Sequence, residues 1–335
     1  MTRTGPSGIE VRDLFKRYPL REGGWVTAVD GVSFRLERGE TLGLVGESGC
    51  GKSTLGRCLL RLIEPDRGEI DFAGTSLLSL SRRELKAFRR RLQIIFQDPY
   101  SSLNPRMSIG AILEEPLKIH GLGGNLAGRR GRVRELLSLV GLPPGVETRY
   151  PHEFSGGERQ RVGIARALAV EPELIVCDEP VSALDVSVQA QILGLLKSLQ
   201  SRLGLSYLFI SHDLRVVEQM SHRVAIMYLG NLVEEGPASS IFGKPSHPYT
   251  QAMLSAVLPL GGESKGERIV LTGEPPSAAS RPTGCPFHPR CFRAEPRCAV
   301  ETPSWVDLGE EHRASCLVVA SERSRATGGE IGSET

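Results

Sequence analysis

The 335-residue sequence predicts an α/β fold with a largely parallel sheet, a helical insertion and a small irregular cysteine-bearing C-terminal segment. Three observations predict it. An apolar strand, Thr41 to Val45, runs into the glycine-rich segment Gly46-Glu47-Ser48-Gly49-Cys50-Gly51-Lys52-Ser53-Thr54 and then into a helical pattern. From Glu158 to Ser211 helix and strand patterns alternate, which implies parallel strands joined by crossover helices. A second apolar strand, Leu174 to Cys177, ends in the acidic pair Asp178-Glu179.

In chain order, Ile9 to Phe15 reads as a strand, Val32 to Leu36 alternates as a strand should, and Arg38-Gly39-Glu40 turns the chain. Ser53 to Ile63 is a helix with Leu55, Leu59, Leu60 and Ile63 on its inner face. Pro65-Asp66-Arg67-Gly68 is a turn, and Glu69 to Phe72 a strand. From about Ser81 to Glu153 the character changes. Arginines cluster at Arg89-Arg90-Arg91 and at Arg129, Arg130, Arg132 and Arg134, which reads as a solvated helix face, and helices are expected at Ile109 to His120 and Val133 to Val140. The α/β pattern then resumes, with a helix from Glu158, one from Ser187, and a strand at Tyr207 to Ser211. Phe242 to Tyr249 punctuates its end, and a short helix, Thr250 to Val257, follows. The expected division is 1–86 with 160–245 for the α/β core, 87–159 for the helical insertion, 246–320 for the extension and 321–335 for a disordered tail.

The chemistry sits where strands end. Gly46 to Ser53 matches G-x-x-x-x-G-K-[ST] between a strand and a helix. Small residues let successive backbone N–H groups wrap a polyphosphate, and the following helix presents its N-terminus to the same charge. Lys52 places an ammonium on the outer phosphates, Ser53 offers an oxygen ligand to Mg²⁺, and Cys50 reads as a spacer. Carboxylates at the end of a strand face the crevice of an open sheet. There Asp178 suits the Mg²⁺ shell and Glu179 suits the proton of an attacking water. Ser155-Gly156-Gly157 opens a helix without bulky side chains, which fits an anion as well as an ordinary cap.

Net charge is +2, so nothing demands nucleic acid. Met1 to Gly8 has no apolar core, so no secretory signal is expected, and no apolar run approaches the ~20 residues that span a bilayer. Work at a membrane would pass through another chain. Of the seven cysteines, Cys50, Cys58 and Cys177 lie in or beside the motifs above, while Cys285, Cys291, Cys298 and Cys316 crowd the C-terminal part. Their spacing alone leaves free thiols or an irregular metal site open; disulfides are not expected in a reducing compartment.

The run Glu158-Arg159-Gln160-Arg161-Val162-Gly163-Ile164-Ala165-Arg166-Ala167-Leu168 behind Ser155-Gly156-Gly157 resembles the signature helix of ABC transporter ATPases, with Phe154 and Glu158 where many members have Leu and Gln. The resemblance covers about residues 9 to 260. It implies a P-loop NTPase core of ABC type with an antiparallel β subdomain and an inserted helical subdomain. It also implies ATP as substrate, held by Gly46, Ser48, Gly49, Cys50, Gly51, Lys52, Ser53 and Thr54. Gln97 then matches the Q-loop glutamine, which reports γ-phosphate and Mg²⁺, and Ser182-Ala183-Leu184-Asp185 matches the D-loop. His212 matches the switch histidine that acts with Glu179 and Lys52; Tyr18, with Phe15 second, would stack on adenine. Such domains pair head to tail, so Ser155, Gly156, Gly157 and Glu158 would close over the phosphate loop of a homologous second ATPase.

Further stretches are similar to the oligopeptide/dipeptide permease ATPases: Gln97 to Arg106, Asp178 to Ser187, His247-Pro248-Tyr249-Thr250, Leu271 to Ser277, and Gly284 to Cys291. That branch implies peptide import, two membrane permease subunits, an extracytoplasmic binding protein and a peripheral place on the cytoplasmic face of the bacterial inner membrane. Its members can carry a [4Fe–4S] cluster on cysteines matching Cys285, Cys291, Cys298 and Cys316, with zinc and free thiols as the other readings. An importer ATPase for another cargo, such as nickel or a metal chelate, and a soluble ABC ATPase acting on nucleic acid or ribosomes are the alternatives.

Overall fold

The computed structural model describes residues 8–20, 23–98, 100–256 and 268–328. The lead 1–7, residues 21–22, Pro99 of the Q-loop stretch, the segment 257–267 and the tail 329–335 lie outside the described residues.

Two sheets form the frame. β1 (Ile9–Pro19) and β2 (Trp25–Leu36) pair antiparallel from Ile9 opposite Leu36 to Pro19 opposite Trp25. After β3 (Thr41–Val45) and α1 (Lys52–Leu59), β4 (Arg67–Phe72) returns to pair with β1 and carries β5 (Thr75–Ser76) at its edge. The result is an antiparallel sheet of order β2-β1-β4-β5. Its apolar residues, Val29, Val32, Phe34, Leu36, Ile70 and Phe72, turn to one face and share a core with α1.

α2 (Arg82–Phe88) leads to β6 (Leu92–Ile95), and the insertion follows with α3 (Ile109–Ile119) and α4 (Leu126–Leu139). α5 (Gly156–Leu168), β7 (Leu174–Asp178), α6 (Val186–Leu203), β8 (Ser206–Ser211), α7 (Leu214–Met220), β9 (Arg223–Tyr228) and β10 (Asn231–Pro237) complete the core. β3, β7 and β8 are buried at every residue, as central parallel strands covered on both faces must be. α4 begins seven residues before the expected Val133, capped by Asn125, whose side chain accepts from the Gly128 amide at 2.9 Å. Its first two turns are polar and bury nothing, so they leave no apolar signal. The arginines expected on a solvated face are partly internal ties: Arg91 pairs with Glu173, Arg129 with Glu114 and Arg132 with Glu171. α5 also runs unbroken across the expected boundary at residue 160.

The C-terminal part departs most from expectation. α8 (Ala238–Gly243) and α9 (Pro248–Ser255) precede a hairpin, β11 (Trp305–Gly309) with β12 (His312–Ser315). β12 pairs antiparallel with β10, so the large sheet reads β11-β12-β10-β9-β3-β8-β7-β6. The end of the segment expected to be irregular, residues 305–315, therefore extends the core sheet. Residues 321–328, expected in a disordered tail, continue α10 (Leu317–Gly328), whose first turn buries Val318 and Val319.

A buried carboxylate joins the two parts. Glu234 on β10 is fully buried and accepts the amides of Ser246 (2.7 Å) and His247 (3.1 Å), and a ring nitrogen of His312 lies 2.8 Å from it. His247 caps α9 by accepting the Tyr249 amide at Nδ1 (3.1 Å), and its other side meets the Ser315 carbonyl. Burial pushes the His247 imidazole down to about 4, against the opposing pull of Glu234 and the Ser315 carbonyl. The unfolded chain takes this proton near 6.5 while the folded chain refuses it until about 4. Between those values the unfolded state binds more protons, so stability falls as pH drops. Asn caps helices as well and does not titrate. The fall in Tm from pH 7 to pH 4.5 is expected to be smaller in His247→Asn than in the unaltered chain; equal falls would contradict the assignment.

Candidate functional site

Four parallel strands deliver their C-terminal ends to one edge of the large sheet. Val45 lies opposite Ser211, Asp178 opposite Ile210, and Ile95 opposite Cys177. The residues that follow, Gly46, His212, Glu179 and Gln97, therefore emerge side by side.

The glycine-rich loop is pressed between backbones. Gly51 has φ 111°, and a Cβ there would collide with the Ala28 carbonyl of β2. A Cβ on Gly46 would collide with the Met227 carbonyl of β9. The Gly230 amide donates to the Cys50 carbonyl (2.9 Å), and the Cys50 amide donates to the Glu47 carbonyl (3.3 Å). Lys52 is buried, and its Nζ donates to the carbonyls of Gly46 (2.7 Å) and Glu47 (2.9 Å), with the Cys50 sulfur 3.8 Å away. Two carbonyls thus aim the ammonium across the loop. Burial pushes the Cys50 thiol up, so it stays protonated and inert, as a spacer should. Ser48 and Gly49 are exposed at the loop's crest, while Ser53 and Thr54 are half-buried in the first turn of α1.

The acids complete this edge. Ser53 Oγ donates to Asp178 Oδ1 at 2.7 Å. Burial pushes the Asp178 carboxyl up, opposed by the Ser53 hydrogen bond and by Arg57, 3.9 Å away. Glu179 has φ 47°, a left-handed backbone that costs a side chain about 1–3 kcal/mol and persists only where neighbours fix it. Its amide donates to the Ile210 carbonyl (3.0 Å). Gln97 Nε2 donates to one carboxylate oxygen (2.8 Å), and His212 Nδ1 lies 3.1 Å from the other. Lys52, Ser53, Asp178, Glu179, Gln97 and His212 are thus brought to one place.

The other candidates lie in separate clusters. Ser155 accepts the Glu158 amide (3.3 Å), and the Glu158 carboxylate accepts the Ser155 amide and hydroxyl, both at 2.8 Å. Glu158 therefore closes a capping box on α5, and the backbone bond from Ser155 holds its carboxyl below the usual range. A Cβ on Gly157 would collide with Val188 of α6, and one on Gly156 would press on the Leu184 side chain at 3.2 Å. Asp185 caps α6 by accepting the Val188 amide at 3.0 Å. Tyr18 is half-buried on β1 with Lys16 Nζ 5.5 Å from its ring centroid. The Phe15 ring is faced by the Arg67 guanidinium at 3.4 Å.

Cys285, Cys298 and Cys316 are buried and Cys291 half-buried in one core with Phe287, Val318 and Val319. Burial pushes the Cys285 and Cys291 thiols up to about 11, and the neighbouring sulfurs add to the shift. Among the described residues, no three Cys, His, Asp or Glu are arranged to hold a metal ion.

Sequence reasoning missed the partners of Glu47. Arg290 donates to both its carboxylate oxygens (2.8 and 3.0 Å), and the Tyr249 hydroxyl accepts its amide (3.0 Å). Arg290 is 243 residues away, so no local pattern links the two. The signal was that His247 to Thr250 and Gly284 to Cys291 are stretches matching one branch of a family.

Comparison with known proteins bears on the family and the fold. The family described as ABC transporter matches residues 29–182, and that described as oligopeptide/dipeptide transporter, C-terminal region, matches residues 233–298. The oligopeptide transport ATP-binding protein AppF of Bacillus subtilis (strain 168) is 51% identical over 92% of this chain and 96% of its own. The putative oligopeptide transport ATP-binding protein YkfD of the same organism is 50% identical over 92% and 94%. Among solved structures, the ATP-binding cassette MJ0796, in a dimeric post-hydrolysis state bound to ADP and Pi, matches with TM-score 0.63 and 30% identity over 69% of this chain and 98% of that one. cbiO1 from Clostridium perfringens matches with TM-score 0.61 and 27% identity over 71% and 92%.

The chain belongs to the ABC transporter ATP-binding family. As an ABC ATPase it binds and hydrolyses ATP, and its fold is the cassette fold of that family. The crowding at Gly51 gives a structural test independent of turnover. Gly51→Ala combines a left-handed backbone with a clash against β2 and is expected to destabilise this ABC ATPase by about 2–3 kcal/mol. Denaturant unfolding measures this, and an unchanged midpoint would mean that the loop does not rest on Ala28.

Proposed function

We propose that this ABC ATPase powers import of di- or oligopeptides across the cytoplasmic membrane of a bacterium. The observation that carries the catalytic part is the convergence of Lys52, Ser53, Asp178, Glu179, Gln97 and His212 at one sheet edge. What supports the cargo is the C-terminal match and the relatives named for oligopeptide transport.

Each residue has a part in this reading. The loop amides from Gly46 to Ser53 and the N-terminus of α1 take up the charge of the triphosphate, with Lys52, aimed by its two carbonyls, on the outer phosphates. Tyr18 stacks on adenine. Ser53 Oγ and the Asp178 carboxylate are hard oxygens 2.7 Å apart, a pair that fits Mg²⁺, and Gln97 would join its shell. When bound, that ion neutralises charge on the β- and γ-phosphate oxygens. Glu179 accepts or orients the proton of the attacking water, its carboxylate held by Gln97 and by His212, which also meets the γ-phosphate.

Ser155, Gly156, Gly157 and Glu158 serve the phosphate loop of a second, homologous ATPase in a head-to-tail pair; the dimeric MJ0796 cassette is a precedent for pairing. Two membrane permeases and an extracytoplasmic binding protein complete the importer. Among the described residues no helix is long and apolar enough to cross a membrane, which suits a peripheral subunit on the cytoplasmic face. The insertion, residues 87–159, takes its signal from Gln97. Its Q-loop touches α5 directly: the Arg159 guanidinium lies 3.8 Å from the Tyr100 ring centroid.

The four C-terminal cysteines are proposed to hold a [4Fe–4S] cluster. What supports this reading is that the four thiols lie close enough to act on one another's charge, although as they stand they are not arranged to hold a metal ion. Iron and sulfide near four of each per chain are expected after anaerobic purification, falling sharply in Cys298→Ser. Zinc alone, or no metal, would refute the cluster.

Glu179→Gln is expected to bind ATP as the unaltered chain does while hydrolysing it at least about a hundredfold more slowly. Turnover at the normal rate in that variant would remove Glu179 from its part.

A further inference from the structure

We infer that Arg290 and Tyr249, from the C-terminal segment, are positioning residues for the phosphate loop, so that this segment sets the affinity of the site for ATP. The inference rests on the nucleotide reading of that loop.

Glu47 is the second residue of the loop, and all its polar groups are engaged. Its amide donates to the Tyr249 hydroxyl (3.0 Å), its carbonyl accepts from Lys52 (2.9 Å) and from the Cys50 amide (3.3 Å), and its carboxylate accepts both Arg290 bonds (2.8 and 3.0 Å). The carbonyl that aims Lys52 is thus fixed from outside the core by two side chains of the segment.

Charge makes the arrangement matter for an anionic substrate. Glu47 sets a carboxylate beside a loop that must accept a triphosphate, and like charges at that range repel. The bidentate guanidinium neutralises it and fixes its direction. Arg290 is itself held firmly, its side chain 7% exposed and packed near Tyr228. The Glu47 carboxylate first, and the Tyr228 hydroxyl beside it, hold the buried guanidinium firmly in its charged form. Tyr228, Tyr249 and Phe287 pack ring to ring, with centroids 4.7–5.3 Å apart, and form the rigid base of this grip. Glu47, Arg290 and His212 also line one cleft of about 650 Å³, so the grip adjoins the His212 end of the site.

The test is the affinity of the full-length chain for a fluorescent ATP analogue with Mg²⁺, read beside Tm. Arg290→Met should raise Kd about tenfold, while in a Glu47→Gln background the same change should move Kd less than about twofold, because Arg290 acts through Glu47. Arg290→Lys, which keeps the charge and loses the fork, should weaken binding by an intermediate factor, and it keeps the test open if Arg290→Met does not fold. A lowered Tm with unchanged Kd would leave Arg290 merely structural and overturn the inference, as would an equal effect in both backgrounds. Lys52→Ala separates the two layers. If it binds the analogue normally, the nucleotide reading itself fails; if it does not bind while Arg290→Met binds normally, only this inference fails.

Discussion

Lys52 lies buried with its ammonium on the carbonyls of Gly46 and Glu47, and much of the surrounding structure serves to hold that cation and the loop amides at the end of β3. A buried cation is tolerated only where acceptors surround it. β8 and β9 pair with β3 on both sides and fix where the loop starts. The carbonyls of Ala28 and Met227 press on Gly51 and Gly46 and leave the backbone one path. The antiparallel four-stranded sheet, the large mixed sheet and the C-terminal segment each touch this one loop.

The acidic half follows from the same edge. Because β7 lies beside β8 and β6 beside β7, strand register alone carries Asp178 toward Ser53 and Gln97 toward Glu179. The strained backbone of Glu179 is held by the Ile210 carbonyl, Gln97 and His212, so the carboxylate is preset. From Gln97 the chain runs to Tyr100, under the Arg159 guanidinium, and to Ser102, whose carbonyl accepts from Arg166. These two contacts tie the residues after Gln97 to α5, the helix capped by Ser155.

The legible features were those that repeat within a few residues or sit at strand ends. The loop at Gly46, the acids after Cys177 and the cap at Ser155 are local patterns, and the edge rule for open sheets joins them across more than a hundred residues. What stayed hidden was nonlocal or polar. The first turns of α4 bury no side chain, so no apolar period marks them. β11 and β12 are short and half-exposed, and become strands only because β10 offers an open edge. α10 is apolar only in its first turn, so composition reads it as tail. The Glu47–Arg290 pair joins two motifs, each legible alone, through a packing that no spacing rule contains.

The most direct test of the account is a crystal structure of the full-length chain with Mg²⁺ and a non-hydrolysable ATP analogue. It should show the γ-phosphate beside Lys52 and the metal between Ser53 Oγ and Asp178, replacing their 2.7 Å hydrogen bond. A nucleotide bound elsewhere, with Ser53 still donating to Asp178, would contradict it.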